Sequence, residues 1–486
     1  MYISTRFKIV IHLCGILVML YSLTMIPPML FALVEKERTF FAFLSTFAMA
    51  FFAGLACCLW TRQSRVHLET RDGFVIIVLF WLLFSAISAL PLWLDDNLNL
   101  PLADAMFEGV SGITTTGASV FHDVSSLPRS ILYYRAQLNF VGGLGVIVLA
   151  VAVLPLLGIG GMKLYQSEMP GPFKEERLTP RLADTAKSLW LTYMLLGASC
   201  IFAFWLAGMP LFDSLCHGLS TVSLGGFSTQ TQSIGYYQSA PIELVAGAFS
   251  LLSAVNFTLW FVAIANRSLK PFRRNAELRF FFLIAGIIVA IVTLQVWRAG
   301  MYALPESFVH AFFLSSSMMT DNGLATADYA SWPTHIIVLL LAASFFGGCV
   351  GSTCGGIKAL RFLILLKQSR QEVHQLAHPR AILSVRVGKT VINERVQRSV
   401  WSFFFLYVLT TCVFIGLLNS QGYDLLTSFA SVAACINNMG LGFGATADGF
   451  SGLNGFSKYL MCAAMLLGRL EIYPVLILLS RTFWRS

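Results

Sequence analysis

Long apolar runs separated by short polar stretches dominate the chain, and each is about 20 residues or more, enough for a helix to cross a hydrocarbon core of roughly 30 Å. The pattern predicts ten spans, at about 9–34, 38–60, 73–94, 137–160, 188–208, 242–265, 279–297, 335–366, 400–418 and 459–480. The first run is too long for the apolar core of a signal peptide and has no small-residue cleavage site, so it counts as a span.

The connections after the third, fifth, seventh and ninth spans break this alternation. Each is about 30 to 45 residues long and carries a moderately apolar stretch that ends in glycine-rich polar residues. The four stretches, AMFEGVSGITTTGASV, SLCHGLSTVSLGGFST, AFFLSSSMMTDNGLAT and SFASVAACINNMGLGFG, align without gaps on Gly117, Gly226, Gly323 and Gly440, which stand 109, 97 and 117 residues apart. Six positions before the glycine the residue is small (Ser111, Ser220, Ser317, Ala434) and three before it is polar (Thr114, Ser223, Thr320, Asn437). One position after the glycine it is apolar (Ala118, Phe227, Leu324, Leu441). This argues for an internal repeat of span, short re-entrant helix, extended glycine loop and span. The predicted units are a helix pair over 1–68, then four pore repeats over 69–163, 164–274, 275–372 and 373–486, the third with a broken helix.

Composition agrees with a bilayer setting. Of 486 residues 57% are apolar and only 12% charged, which excludes a water-soluble or disordered chain and leaves an all-α polytopic membrane protein. The net charge of +9 forms no continuous basic stripe, so no nucleic-acid partner is expected. With a cytoplasmic N-terminus, 26 of the 33 Lys and Arg fall on the cytoplasmic side, six (Lys36, Arg38, Arg129, Arg135, Arg298, Lys458) on the other, and Arg469 within a span. That asymmetry predicts cytoplasmic N- and C-termini. The ten cysteines lack paired metal spacing and read as small apolar residues.

Non-helical backbone at membrane depth has carbonyls that lipid cannot satisfy, so it must be buried in protein or line water. Four such segments can supply a ring, and a ring of backbone carbonyls replaces the water of a potassium ion. Glycine at the shared position takes φ > 0 and keeps a β-carbon out of the way. The candidate ion-binding residues are Thr115, Thr116 and Gly117; Leu224, Gly225 and Gly226; Asp321, Asn322 and Gly323; and Asn438, Met439 and Gly440. Because the side chains differ while the glycine is shared, the main chain is expected to do most of the coordination. Two readings stand for Asp321: a carboxylate near the entrance that concentrates cations, or the cap of a turn.

The eighth span is interrupted by Gly347-Gly348-Cys349-Val350-Gly351-Ser352-Thr353-Cys354-Gly355-Gly356. At about 1 kcal/mol of helix propensity lost per glycine, this stretch is expected to unwind. It is either a movable gate, built on Gly347, Gly348, Gly351, Ser352, Thr353, Gly355 and Gly356, or a static kink. It lacks the adjacent Gly-Lys-Ser/Thr of a nucleotide P-loop. Arg469 lies about 11 residues into the last span, roughly 16 Å deep at 1.5 Å per residue. It is either an electrostatic barrier beneath the filter or half of a structural pair with Glu471 or Glu108.

These loops, together with RDGF from Arg71, GGLGVIVLAVAVLPLLGIGG from Gly142, EMPGP from Glu168, GGFST from Gly225, GGCVGSTCGGIK from Gly347 and GRLEIYP from Gly468, carry a family resemblance over nearly the whole length. The chain resembles the Trk/Ktr/HKT superfamily, most closely the membrane-spanning potassium-translocating subunit of bacterial Trk systems (TrkG/TrkH type). The resemblance implies a four-fold pseudosymmetric pore in one chain, K+ as the transported ion at the filter residues, and a homodimer in the bacterial inner membrane. It also implies a cytosolic nucleotide-binding regulatory subunit of the Trk A type, and it supports Arg469 and the glycine-rich interruption as the gate. The third loop, Asp321-Asn322-Gly323-Leu324, and Met439 depart from the commonest family pattern.

Other functions fit less well. No Gly-x-Ser-x-Gly elbow or His-Glu-x-x-His is present, His217 and His310 fall in the re-entrant segments as packed or hydrogen-bonded residues, and neither enzymatic chemistry nor a covalent cofactor is expected. A secondary symporter coupling K+ to H+ or Na+ by alternating access shares the broken helix but would be expected to show inverted repeats, whereas these four share one orientation. The segment from Lys367 to Arg398, with Lys163 to Lys187, offers a basic inner face that is either ordinary topological charge or a docking surface for the regulator.

Overall fold

In the computed structural model, which describes residues 2–61, 70–152, 181–326, 329–380 and 383–484, nearly every apolar run is a helix. The first two spans are α1 (Tyr2–Ser22), continued through a short 3-10 turn and Pro27-Pro28 into α2 (Ile26–Val34), and α3 (Thr39–Trp60). Four similar stretches follow. The first runs α4 (Thr70–Leu94), α5 (Leu102–Ile113), α6 (Arg129–Ala152), and the second α7 (Arg181–Leu206), α8 (Leu211–Ser223), α9 (Ala240–Ser253), α10 (Phe257–Ala265) and the one-turn α11 (Lys270–Arg274). The third comprises α12 (Ala276–Arg298), α13 (Leu304–Met319), α14 (Thr334–Ser344) and α15 (Ala359–Ala377). The fourth comprises α16 (Glu394–Asn419), α17 (Leu425–Ile436), α18 (Gly455–Arg469) and α19 (Tyr473–Leu479), with a final turn α20 (Arg481–Trp484). Among the described residues the strand content is a two-residue antiparallel pair, Arg386–Val387 with Thr390–Val391, beyond the end of α15. EMPGP, residues 153–160 of the fourth span and residues 163–180 of the basic inner face lie outside the described residues.

Among the described residues, six helices are long and apolar enough to cross a membrane. The chain is an all-helical, multi-pass membrane protein. Its large apolar side chains are exposed along these helices, for example Phe41, Phe52, Leu191, Leu283 and Phe405, as expected of surfaces that meet lipid rather than water. All ten cysteines are free thiols.

Two predicted spans are not continuous helices. The span expected over 242–265 bends by 91° between α9 and α10, and that over 459–480 bends by 110° between α18 and α19. No glycine or proline marks the first break. Its backbone is instead drawn off by the loop between α14 and α15: Cys349 N–H donates to the Ala254 carbonyl (2.9 Å), Phe257 N–H to that of Gly351 (3.1 Å), and Asn256 caps α10 through Thr258 N–H (2.7 Å). At the second break Glu471 and Ile472 both take positive φ (54° and 63°), an uncommon conformation for a β-branched residue, and Pro474 starts α19. Arg469 is therefore the last residue of α18, at the corner rather than inside a straight span.

Four short helices, α5, α8, α13 and α17, enter the molecule without crossing it. Prolines sit at the starts of the first three (Pro101, Pro210, Pro305). The fourth is capped by Asp424, whose exposed carboxylate accepts from Thr427 N–H (3.1 Å), and bonds with Thr427 hold this carboxyl below the usual range. Their C-terminal halves are almost wholly buried.

The opening helix pair is locked by small residues. α1 and α3 cross at Gly15 and Gly54, where a β-carbon on Gly54 would lie 2.7 Å from the Gly15 carbonyl oxygen. Gly54→Leu should therefore destabilise the detergent-solubilised protein by about 1–3 kcal/mol through overpacking, measured as a lower thermal midpoint.

Candidate functional site

The four buried helices end in the same way. One residue before the shared glycine, each backbone N–H donates to the carbonyl six before it: Thr116 to Ser111 (2.8 Å), Gly225 to Ser220 (2.9 Å), Asn322 to Ser317 (2.8 Å) and Met439 to Ala434 (2.8 Å). Two before it, the N–H groups of Thr115, Leu224, Asp321 and Asn438 donate to Gly112, Thr221, Met318 and Cys435 at 3.0, 3.1, 3.3 and 3.2 Å. This double closure is a Schellman termination, and it requires a left-handed residue. Thr115, Leu224, Asp321 and Asn438 supply it, with φ of 55°, 56°, 59° and 57°. Gly117, Gly226, Gly323 and Gly440 then repeat positive φ at 79°, 74°, 75° and 83°. Sequence alignment and backbone conformation thus coincide residue for residue.

The four segments close on one another. A β-carbon placed on Gly117 would lie 2.2 Å from the carbonyl oxygen of Gly225, and one on Gly226 would lie 2.6 Å from that of Asn322. On Gly323 it would lie 2.1 Å from the Met439 oxygen, and on Gly440 2.1 Å from the Thr116 oxygen. Each glycine therefore abuts the carbonyl preceding the next segment's glycine, from first to second to third to fourth and back to first. No side chain fits at any of the four positions. All four glycines also border one cavity of about 1070 Å³, together with Ser119, Glu243 and His310. The helix C-termini converge on the ring, and their partial negative charge favours a cation there.

Side chains behind the ring brace it rather than fill it. The Thr116 hydroxyl bonds with that of Thr114 (2.8 Å) and accepts from Asn438 Nδ2 (3.0 Å), and Asn322 Nδ2 donates to Ser250 Oγ (2.6 Å). Nearer the cavity, the fully buried Glu108 accepts from Arg135 Nε (2.7 Å), Ser119 Oγ (3.1 Å) and Val120 N–H (3.0 Å), while the Arg135 guanidinium lies 4.1 Å from the Phe227 ring centroid. His217 Nδ1 donates to the Asp213 carbonyl and Nε2 accepts from Ser228 Oγ, both at 2.9 Å. His310 Nδ1 donates to Glu243 Oε2 (2.8 Å), whose other oxygen accepts from Thr326 Oγ1 (2.6 Å). Both histidines are thus structural. Sequence reasoning passed over Glu108–Arg135 and Glu243, because charged residues 27 and 67 positions from their partners give no local signal.

Beneath the ring runs the glycine-rich stretch between α14 and α15, which is unwound over 345–358, with positive φ at Gly347 (67°), Gly351 (82°) and Gly356 (64°). It touches the ends of three of the four buried helices. Thr353 Oγ1 donates to the Val222 carbonyl (3.3 Å), a β-carbon on Gly355 would lie 1.8 Å from the Asn437 oxygen, and Gly356 lies against Asp321. Arg469 closes the remaining side, donating from its two terminal nitrogens to the carbonyls of Thr353 (2.9 Å) and Gly142 (3.2 Å). Two sequence alternatives fail here. Arg469 pairs with neither Glu471, which binds Arg361, nor Glu108, which binds Arg135. Asp321 is not at the entrance: it is fully buried and does not border the cavity lined by the four glycines, its backbone takes the left-handed position of the helix-ending turn, and neither carboxylate oxygen accepts a hydrogen bond among the described residues.

Comparison with known proteins places this architecture. A family model described as TrkH, a cation transport protein, matches residues 39–485. The chain is 66% identical over 483 residues to the Trk system potassium uptake protein TrkG of Escherichia coli (strain K12), across 99% of this chain and 100% of that one. It is 43% identical over 482 residues to the Trk system potassium uptake protein TrkH of Salmonella typhimurium, again across 99% and 100%. The fold matches the crystal structure of the potassium transporter TrkH from Vibrio parahaemolyticus with a TM-score of 0.92 at 41% identity, covering 99% of this chain and 100% of that one.

The buried ion pair beside the ring is open to test. Arg135→Met leaves Glu108 buried without its cation and should cost about 3–5 kcal/mol, read as a fall in thermal midpoint, and Glu108→Leu added to it should recover part of that loss.

Proposed function

Because the chain belongs to the TrkH family of cation transport proteins, we propose that it takes up potassium ions through the ring formed by Thr115 to Gly117, Leu224 to Gly226, Asp321 to Gly323 and Asn438 to Gly440. The observation that carries this reading is the closed sequence of contacts around the four glycines. A dehydrated alkali cation needs oxygens on every side, and carbonyls from four like segments around one axis can offer them. The side chains of Thr116 and Asn322 are engaged with groups behind the ring, which leaves the main chain to do the coordination.

In this reading the stretch from Gly347 to Gly356 is the gate, and Arg469 holds it shut. The guanidinium bonds to the Thr353 carbonyl of the loop and to Gly142 of α6, so one side chain ties the loop across the pathway. Its charge also opposes a cation leaving the ring. The loop's positive-φ glycines make its backbone easy to rearrange. The four-unit division of the chain, the bacterial inner membrane and cytoplasmic termini belong to the same reading, as does a homodimer. A cytosolic nucleotide-binding subunit of the Trk A type would regulate it, docking on the exposed basic segment around Arg370, Arg395 and Arg398, where Val373 and Leu376 are also exposed.

A coupled symport with H+ or Na+ is the rival reading, and the two bent helix pairs favour it, since broken helices are common where transporters bind ions. A ring shared equally by four like-oriented segments favours an axial route driven by the membrane potential, worth about 2.3 kcal/mol per charge per 100 mV.

Rubidium uptake in cells without other potassium uptake routes tests the reading. The intact chain should support uptake, and Gly117→Ser should lower it at least tenfold at equal membrane abundance, because its side chain meets the Gly225 carbonyl. Equal uptake by both removes Gly117 from the pathway. Arg469→Ala should raise the rate several-fold, and an unchanged rate assigns the arginine a packing role alone.

A further inference from the structure

The chain from Asn256 to Glu277 lies at the face of the protein opposite the outer cavity. α9 starts at that cavity, which Ala240 and Glu243 border, and its 14 residues carry the chain about 21 Å away from it to the break at Ala254. α12 makes the return over 23 residues, and Pro305 and Glu306 just beyond it border the cavity again. Between the two, α10 is bent 91° from α9 and runs across that direction rather than along it.

This stretch is first apolar and then cationic. α10 packs Phe257, Leu259 and Ala263 against the protein and leaves Ile264 exposed, and its Trp260 meets the Phe272 ring of α11 edge-on with centroids 5.0 Å apart. Arg267, Lys270, Arg273 and Arg274 follow, all exposed, with the exposed Leu269 among them. None of these four cations forms an ion pair among the described residues, whereas Arg129, Arg135, Arg361, Arg398 and Lys458 each have a carboxylate. The sequence offers them no acid: Glu277 is the only Asp or Glu between Glu243 and Glu306, and it is buried, with Oε1 accepting from Val350 N–H (2.7 Å). A helix turned across the span direction, with exposed apolar residues and cations that lack counter-charges at its end, suits a membrane surface of negative charge.

We propose that Arg267, Lys270, Arg273 and Arg274 bind the phosphate headgroups of anionic phospholipids, with Ile264 and Leu269 seated in the adjoining acyl region. Guanidinium groups match phosphate oxygens in a two-bond geometry, and the long basic side chains reach the headgroups while their stems stay on apolar surface. The two ends of this segment also grip the gate loop. Val350 N–H donates to Glu277 at the start of α12, and the Val350 carbonyl accepts from Nδ2 of Asn256, the cap of α10 (2.6 Å). Lipid bound between them holds α10 and α12 together and steadies the loop. The site lies outside the ring and the outer cavity, so it stands independently of whether the ring conducts.

The test uses the full-length protein in detergent, stripped of native lipid. Added phosphatidylglycerol should raise its thermal midpoint, and phosphatidylcholine or inorganic phosphate at the same concentration should not. Arg273→Gln combined with Arg274→Gln should raise the phosphatidylglycerol concentration that gives half the shift about tenfold or more. An unchanged requirement overturns the proposal and leaves these cations to topology or to a protein partner, and an equal response to phosphatidylcholine overturns it as well. Arg370→Gln with Arg395→Gln removes two exposed cations elsewhere and should leave the response as it was; an equal loss there reveals general charge attraction and also counts against the site. Should the first pair fail to accumulate in the membrane, Arg267→Gln with Lys270→Gln is held to the same expectation. Hydrogen exchange in lipid nanodiscs tests the link to the loop. Residues 345–358 should exchange at least about twofold more slowly in phosphatidylglycerol than in phosphatidylcholine, and the difference should shrink in the Arg273/Arg274 variant. Equal exchange in the two lipids overturns that link.

Discussion

A backbone carbonyl inside a bilayer must find a donor, water or a cation, and the structure is organised around that requirement. Helices satisfy it along most of the chain. Where four of them stop short at Ile113, Ser223, Met319 and Ile436, the Schellman bonds use up two carbonyls of each last turn and turn the chain sharply enough for the next residues to run along a shared ring. The carbonyls of Thr116, Gly225, Asn322 and Met439 then each abut the glycine of a neighbouring segment. Replacing any of those glycines would force apart backbones that have no room to move, because each clash is with main chain and not with a side chain that can swing away.

The same requirement explains why the parts beneath the ring belong together. The unwound stretch over 345–358 exposes its own N–H and carbonyl groups, and they are met by the broken backbone at Ala254 and Phe257, by Asn256 and by Arg469. One irregular segment thus satisfies another, and the bend between α9 and α10 exists because the loop occupies the bonds a straight helix would have made. Arg469 contributes as a donor to two carbonyls, those of Thr353 and Gly142, that lie far apart in the sequence. Charge near the re-entrant helices is handled by pairing: Arg129 with Glu35, Arg135 with Glu108 and Lys458 with Asp104.

Much of this was legible in the sequence because it repeats. Four glycines in equivalent contexts, each preceded by an apolar helical stretch, reveal a shared backbone course, and the five glycines from Gly347 to Gly356 reveal where a span must unwind. The breaks at 254–256 and 470–472 were less accessible. The first depends on hydrogen bonds from nearly a hundred residues away, and nothing local to Val255 announces it. The second did carry a signal in Pro474, but the apolar run continues through it and hides the corner. Of the two readings open for Asp321, the entrance carboxylate fails for a related reason: sequence gives its position in the loop, while its left-handed backbone is set by the Schellman closure. Arg469 finds its partners in the main-chain carbonyls of Thr353 and Gly142, which a search for acidic residues overlooks.

The central claim is that four backbone segments share one axis and hold a dehydrated monovalent cation on it. Crystals of the protein grown in rubidium or thallium and measured at the anomalous edge of the metal address this most directly. The account predicts an anomalous peak on the axis encircled by Gly117, Gly226, Gly323 and Gly440, at direct coordination distance from the carbonyl oxygens of Thr116, Gly225, Asn322 and Met439. Well-ordered maps with no peak on that axis, or with the metal bound only by side chains elsewhere, would contradict it.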